Sequence, residues 1–523
     1  MHTSANIALL LLVLAVLACP KAEARGIKLN APLASGQRII GFKTSPDSRW
    51  VIYRVYRDSN SVAEIYSVPI TGGTAVKLNS EIGLNAMVMD DFIISPDSSR
   101  VVFRVYYPCL YCYSSNDIYS VPIGGGNAVR LNSQSPYGGS LLPSSIFMIS
   151  PDSSRVIFAA TQDTNMIHGN TPSEVFSIPI TGGVPVRLNG PLVAGRNASP
   201  VQIGPDSSRV VYRADQDTDD VFELYSVSIG GGEPVKLNAE LPASGDVGPS
   251  AISSEGQHVV YRADLEMDEV YGIYSVPIGG GTSVKLNEDC VSGGDVQEFR
   301  ISPDGQRVIY QANQDAEDVI GLYSVAIGGG DVTRLTADIG DIWYIGGWKI
   351  SPDSSRVVYI ADLLVDMTYE LFSVGITGLG RVKLNVQLAG DVTDFCISPR
   401  DDNVVYRADQ EVEGNFNFYS VPLTGGTPVR LNDPMLSVES ARYDITPRGD
   451  RVIYIASDDS SNEGYLYTVS IRGGLPTLIT SDGFSTSYII SNNGRRLVFW
   501  AKGMFSSVSI STACRSCHWD CRN

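Results

Sequence analysis

The sequence predicts an all-β chain, a β-propeller of about ten four-stranded blades whose ring is closed by pairing strands from the N- and C-termini. Three observations lead there. A Ser-Pro-Asp turn followed by a β-branched run recurs along the whole chain. Each unit between such turns holds four short strand-like runs, and the first and last units are incomplete in complementary ways.

The turn begins at Ser45, Ser95, Ser150, Ser302 and Ser351, with variants at Gly204, Ser253, Ser398, Thr446 and Ser491. The mean spacing is about 50 residues, a length that suits one propeller blade. In the second unit, strand A is the run Asp91-Phe92-Ile93-Ile94 and strand B is Val101-Val102-Phe103-Arg104. Strand C is Ile118-Tyr119-Ser120-Val121-Pro122-Ile123 and strand D is Ala128-Val129-Arg130-Leu131. Val, Ile, Tyr and Phe suit a pleated, half-buried surface, and Gly, Pro, Asp or Ser bound each run. No stretch keeps a 3.6-residue period, so helices should be nearly absent. One such blade cannot bury both faces, so blades must stack around an axis.

The ends complete the ring. Ile27-Lys28-Leu29-Asn30 reads as a strand D with nothing before it. The tenth unit has A around Tyr488-Ile489-Ile490, B at Arg496-Leu497-Val498-Phe499 and C from Phe505, with no D after it. Joined, the two make one blade and remove the unpaired edges. A single ring is preferred to two rings of five, because no linker or composition break falls near the middle.

Upstream, Ile7 to Cys19 is an apolar run of 13 residues, too short to span a bilayer and suited to a signal-peptide core. Ala22-Glu23-Ala24 supplies a small-x-small cleavage site. The expected organisation is a signal peptide over 1–24, the propeller over 25–512 and a Cys-containing tail over 513–523. Val16-Leu17-Ala18-Cys19 also reads as a lipoprotein box, which would make Cys19 a lipid anchor. No later segment is apolar enough to be transmembrane, so the chain should be secreted or periplasmic. A net charge of −18 argues against nucleic acid or an anionic membrane as partner, and leaves cations and basic partners.

The Ser-Pro-Asp-x-x-Arg turn, the Val210-Val211-Tyr212 type of run and the Leu-Tyr-Ser-Val-Pro-Ile-x-Gly-Gly pattern resemble bacterial WD-like repeats. Such repeats build TolB-type propellers, and related blades cap the dipeptidyl peptidase IV and prolyl oligopeptidase enzymes. The resemblance covers about residues 27 to 510 and implies the fold. It implies little about activity, because such folds host many functions. TolB carries an α/β domain before its propeller, whereas this sequence passes from signal to first blade, so the resemblance is to the repeat and not to that protein.

Several motifs could carry chemistry. Pro and Asp in the repeated turn suit a type I turn with Asp accepting backbone amides, a structural role. The glycines Gly124-Gly125-Gly126 and Gly230-Gly231-Gly232 join strand to strand, so no helix N-terminus faces a phosphate. A serine hydrolase would need Gly-x-Ser-x-Gly and a His base, and the mature chain has only His168, His258 and His518. His258 occupies a turn position where other repeats have Arg.

The B–C loops are acidic: Asp215, Asp217, Asp219 and Asp220; Asp264, Glu266, Asp268 and Glu269; Asp315, Glu317 and Asp318; Asp409, Glu411 and Glu413. Blade seven adds Asp362 and Asp366. Two readings stay open. The loops are solvated hairpins, or the first of them offers calcium hard oxygen ligands from Asp215, Asp217, Asp219 and Asp220. No cofactor is required by either reading.

Seven cysteines remain after signal removal, an odd number. Cys396 falls in a strand A and reads as a small buried hydrophobe. Cys109 and Cys112 suit a local disulfide, as does the tail, although Cys514, Cys517 and His518 match a haem-attachment spacing. The functional expectation is a non-enzymatic scaffold binding a protein or glycan on its loop-rich face. Trp343 and Tyr344, expected on a D–A loop, are the ligand-stacking candidates. The alternative is a metal-dependent lyase or lactonase in the central channel, which would need inward carboxylates on the A strands. Asp91, Asp295 and Asp394 are the available ones.

Overall fold

The computed structural model describes residues 27–509, apart from 59–61, 81, 83–86, 109–114, 133–145, 162–171, 193–194, 243, 268, 292–293 and 316–318. Also outside the description are 338–341, 364–367, 401–402, 435–437, 439–441, 458–463, 480–483 and 502–503. The signal segment, Cys19, Cys109, Cys112, His168 and the tail with Cys514, Cys517 and His518 therefore lie outside the described residues.

The described chain is all strand and turn, and none of its segments is a helix long and apolar enough to cross a membrane. Ten antiparallel sheets follow one another in sequence order. Blades 1 to 5 span 37–77, 87–130, 147–187, 198–236 and 247–285. Blades 6 to 9 span 296–334, 342–383, 392–430 and 443–478. Blade 10 takes strands A, B and C from 484–509 and strand D from Ile27–Lys28, which pairs antiparallel with the last strand, Met504–Ser509. In blade 2, strand A is in two pieces, Met87–Val88 and Ile93–Ile94, both paired to strand B, Arg100–Tyr107. Of the run Asp91–Ile94 expected there, Ile93 and Ile94 are strand, and Met87–Val88 adds a second piece upstream.

Strand B is the buried middle of each blade. Val210, Val211 and Tyr212 are all fully buried, because this strand meets a neighbouring blade on each face and so cannot alternate apolar with polar. Across the pair, Tyr212 faces Tyr225 of strand C with rings stacked at 5.4 Å, and the same aromatic pair recurs as Tyr310–Tyr323 and Tyr406–Tyr419.

Ten hydrophobic clusters sit at ten blade interfaces. Val260 and Ile273 of blade 5 pack with Val308 and Tyr310 of blade 6, an interface that two rings of five would lack. At the other end, Leu29 and Val498 of blade 10 pack with Val51 and Tyr53 of blade 1. The chain is one ring of ten blades.

Local motifs explain the rest. Ser95 Oγ donates to Asp97 at 2.6 Å, and Asp97 accepts the amide of Ser99 at 3.0 Å, which closes the turn as its sequence predicts. The next residue, Ser98, sits at φ +63, as do its serine counterparts near +60, and Gly takes that place in blades 5, 6, 9 and 10. Its hydroxyl accepts the amide of Asp47 from the preceding blade at 3.0 Å, so each such serine clips two blades together. Strand D is only two residues long in each blade because its continuation turns inward. Leu237 is buried, and Asn238 Oδ1 accepts the amide of Leu224 at 2.8 Å. That gives the recurring Lys-Leu-Asn ending a structural cause.

A further recurrent contact joins strand B to strand C. Arg100 Nε donates to Ser120 Oγ at 2.7 Å, and Arg155, Arg209, Arg307 and Arg356 repeat the bond. Trp50 and His258 stand in this position in blades 1 and 5, where Ser67 and Ser275 have buried hydroxyls without a partner.

Candidate functional site

The acidic loops and the starts of the A strands meet on one face of the ring. In blades 4, 5 and 8 the first acid of the loop is a cap rather than a free ligand. Asp215 is 1% exposed and accepts the amide of Asn197 at 2.5 Å, tying the loop to strand A of its own blade. Asp264 does the same with Asp246 at 2.6 Å and Asp409 with Asp391 at 2.5 Å, while Asn313 serves Asp295 at 2.7 Å.

The second acid pairs with the cation of strand D. Asp217 lies 3.8 Å from Lys236, Glu266 2.7 Å from Lys285, Asp315 3.0 Å from Arg334 and Glu411 2.8 Å from Arg430. The Lys or Arg of the Val-Lys-Leu-Asn ending thus neutralises its own blade's loop. These acids pair within their own blades while staying half exposed or more at Asp217, Glu266 and Glu411.

Of the four predicted calcium ligands, Asp215, Asp219 and Asp220 offer oxygens within 4.8 Å of one another, with Asp219 and Asp220 exposed. Asp217 is turned to Lys236 and stands outside the group. Asp219 lies 3.9 Å from Arg196, so a cation there would compete with a guanidinium. Among the described residues this is the one group of three or more His, Cys, Asp and Glu that converges. Asp268, Glu317, Asp318 and Asp366 lie outside the described residues.

The exposed remainder of this face is mixed. Blade 5 carries the longest hairpin, His258–Met267 with Val270–Pro277, and Met267 beside its turn is 65% exposed. Val412, in the blade 8 loop between Glu411 and Glu413, is 58% exposed. Trp343 and Tyr344 are not on a loop. They belong to strand A of blade 7, Ile342–Ile350, which extends to this face. Ile342 pairs with Leu363 and Tyr344 with Asp362, and Trp343 is the extra residue of a bulge between them.

The three inner-strand carboxylates are not brought together. Asp91 pairs with Arg104 at 2.5 Å in blade 2. Asp295, in blade 6, pairs with Arg262 at 2.8 Å and accepts the amide of Tyr271 at 3.0 Å, bolting blade 6 to blade 5. Asp394, in blade 8, accepts the amide of Phe395 at 2.8 Å.

Inner-strand cations, which no sequence motif marks, latch three of the A strands to the next blade. Lys43 donates to the Phe92 carbonyl at 2.6 Å and Arg300 to that of Trp348 at 2.7 Å. Lys349 donates to the Phe395 carbonyl at 2.5 Å. Each also rests over the same residue's ring at 4.6 to 4.8 Å. Cys396 is half-buried, 3.9 Å from Lys349. Burial pushes its thiol and that of Cys290 up, which disfavours thiolate chemistry.

No known family profile and no curated protein matches the chain. Among solved structures it is similar to an Agrobacterium tumefaciens protein assigned as TolB, at 20% identity over 47% of this chain and 83% of that one, with a TM-score of 0.28. It is also similar to Porphyromonas gingivalis dipeptidyl peptidase 4, at 11% identity over 83% of this chain and 67% of that one, with a TM-score of 0.48.

Proposed function

We propose that this protein is an exported, non-enzymatic scaffold that binds a protein partner on its loop-rich face. The observation that carries this reading is the exposure of Met267 and Val412 among Glu266, Glu269, Glu411 and Glu413. Each is a single apolar side chain flanked by acids, in blades 5 and 8, and those acids suit a basic segment of a protein partner. Trp343 and Tyr344 on the same face would widen that contact. Export rests on the apolar run from Ile7 to Cys19. The non-enzymatic part is supported by the engagement of Asp91, Asp295, Lys43, Arg300 and Lys349 in contacts between or within blades, which fixes them structurally.

A photoreactive residue placed at Met267 tests this in the intact exported protein, with Val184, exposed on the opposite face, as control. The expected result is a discrete protein adduct from position 267 that high salt weakens and position 184 lacks. No adduct at 267, or the same adduct at both positions, would contradict the assignment. A carbohydrate adduct would replace the protein partner with a glycan.

A further inference from the structure

The central channel runs from the acidic loop face to the opposite turn face, built from A–B and C–D turns. Strand A is the sheet edge that lines it, so a side chain exposed in the middle of that strand opens to the lumen. In blades 1 and 4 to 8 the register of strand A with strand B slips by an extra residue at this depth. A bulge of this kind re-aims a side chain.

The residues placed there are sorted by blade. Ile40, Val201 and Pro249 stand at the slips of blades 1, 4 and 5. In the blades between, Met89 follows Val88 as Ile40 follows Ile39, and Ile146 stands just before Phe147. Ile146 is 57% exposed and Ile40 39%, with Pro249 exposed and Met89 and Val201 half-buried. Five consecutive blades thus turn an apolar side chain to the channel, with Asp90 exposed beside Met89 and Lys43 latched to Phe92. The slips of blades 6, 7 and 8 hold Gln297, Gly346 and Thr393 instead. Around them Arg300, Lys349 and Arg442 stand with Glu298, Asp394 and Asp444, three charges of each sign. Arg300 pairs with Glu298 at 2.6 Å and Arg442 with Asp444 at 3.0 Å. One wall of the channel is apolar and the other is charged without net sign.

The channel is also wide. Strands A of blades 4 and 5 come within 8 Å of each other between Cα atoms. Ten such steps close a backbone ring about 25 Å across, and side chains on both walls leave a lumen of roughly 15 Å, against about 10 to 12 Å for an α-helix with its side chains. Strand A has eight residues in blade 1, so the channel is about 25 Å deep, the length of roughly 17 helical residues.

We propose that the central channel receives an amphipathic α-helical segment of a partner protein. Its apolar stripe lies against Ile40, Met89, Ile146, Val201 and Pro249, and its mixed-charge face turns to blades 6 to 9. Such a helix carries an apolar stripe of about 100° or more, and five of ten blades offer it half the circumference. A helix also satisfies its own backbone groups, so it needs only side-chain contacts from the wall.

Fluorescence anisotropy with the purified mature chain tests this, using a labelled 18-residue peptide with Leu on one helical face and equal Lys and Glu on the other. A scrambled peptide of the same composition is the control. The expected result is saturable one-to-one binding of the amphipathic peptide. The scrambled peptide, and the amphipathic one with Ile40→Asp/Ile146→Asp, should bind at least about tenfold more weakly. Both isoleucines are exposed, so the double variant should melt like the parent. If it melts lower, Ile146→Asn alone, at the more exposed position, should weaken binding in the same direction. Met267→Asp, on the loop-rich face, should bind like the parent, which separates the channel from the contact proposed there. Absence of saturable binding, equal binding of the scrambled peptide, or binding lost with Met267→Asp and kept by the isoleucine variants would overturn the proposal.

Discussion

The main-chain amide of Asn493 donates to the hydroxyl of Ser48 at 3.0 Å across 445 residues of sequence. It is the same bond that Asp97 makes to Ser153 and Asp152 to Ser207 between consecutive blades. The last blade therefore meets the first through the contact used elsewhere in the ring, with Leu29 and Val498 packed behind it. Closure by the terminal strand and closure by the turns are two expressions of one geometry.

Removing Leu29 should loosen that seam most. Leu29 is 2% exposed, and Leu29→Ala should cost about 2 to 5 kcal/mol, by lost burial plus the cavity left behind. Ser48→Ala removes one clip and should cost about 1 kcal/mol. Chemical denaturation of both variants checks the order. Equal, negligible effects would mean that the terminal strand is ornamental.

Much of this architecture was legible in the sequence because one motif repeats. Ser45, Pro46 and Asp47 specify a turn by local chemistry alone, and Ile27-Lys28-Leu29-Asn30 could be matched to the missing strand of the last unit. The loop acids were not legible. Asp215 and Asp217 look alike in sequence, yet the amide that Asp215 accepts lies 18 residues upstream, and Asp217 pairs with a lysine on strand D. Trp343 was misplaced because a bulge extends strand A without any turn residue to announce it. The last three blades also depart from the repeat's own turn carboxylate, with Arg400, Arg448 and Asn493 in its place, a signal that a search for what recurs passes over.

Restoring the repeat should stabilise blade 5. His258→Arg would give the buried Ser275 hydroxyl the donor that Ser226 and Ser324 have. The expected gain is about 1 kcal/mol, absent in a Ser275→Ala background. A gain that persists without the serine would assign it to something other than this bond.

The turn carboxylates set the acid limit of the fold. Burial pushes Asp97, Asp152, Asp304 and Asp353 up, but the hydrogen bonds each accepts outweigh it and hold all four below the usual carboxylate range. A folded-state value below the unfolded one, about 3.9, gives stability that is present above the unfolded value and lost as pH falls through the folded one. The melting temperature should hold above about pH 5 and fall below about pH 4. Asp97→Asn/Asp152→Asn should make the fall shallower, since Asn493 already works in such a turn. A fall that begins near neutrality would point to other groups.

Calcium should leave the ring's stability unchanged. Asp215 is committed to Asn197, Asp217 lies 3.8 Å from Lys236, which Glu223 holds more closely, and Asp219 faces Arg196, so a divalent ion would compete with existing partners. Melting in millimolar calcium and in chelator, at matched ionic strength, should coincide. A calcium-specific rise that Asp219→Asn/Asp220→Asn abolishes would instead assign the metal site.

The central claim, one closed ring of ten blades, is tested most directly by the distance between spin labels at Arg49 and Arg495, measured by double electron–electron resonance in the mature chain. Both side chains are exposed on the turn face, in blades 1 and 10. A pair at Gln257 and Gln306, in blades 5 and 6, calibrates the separation of neighbours. The account predicts that the 49–495 pair gives a narrow distribution as short as the 257–306 pair. A broad or long 49–495 distance would contradict closure, and a short 49–257 distance would show two rings of five.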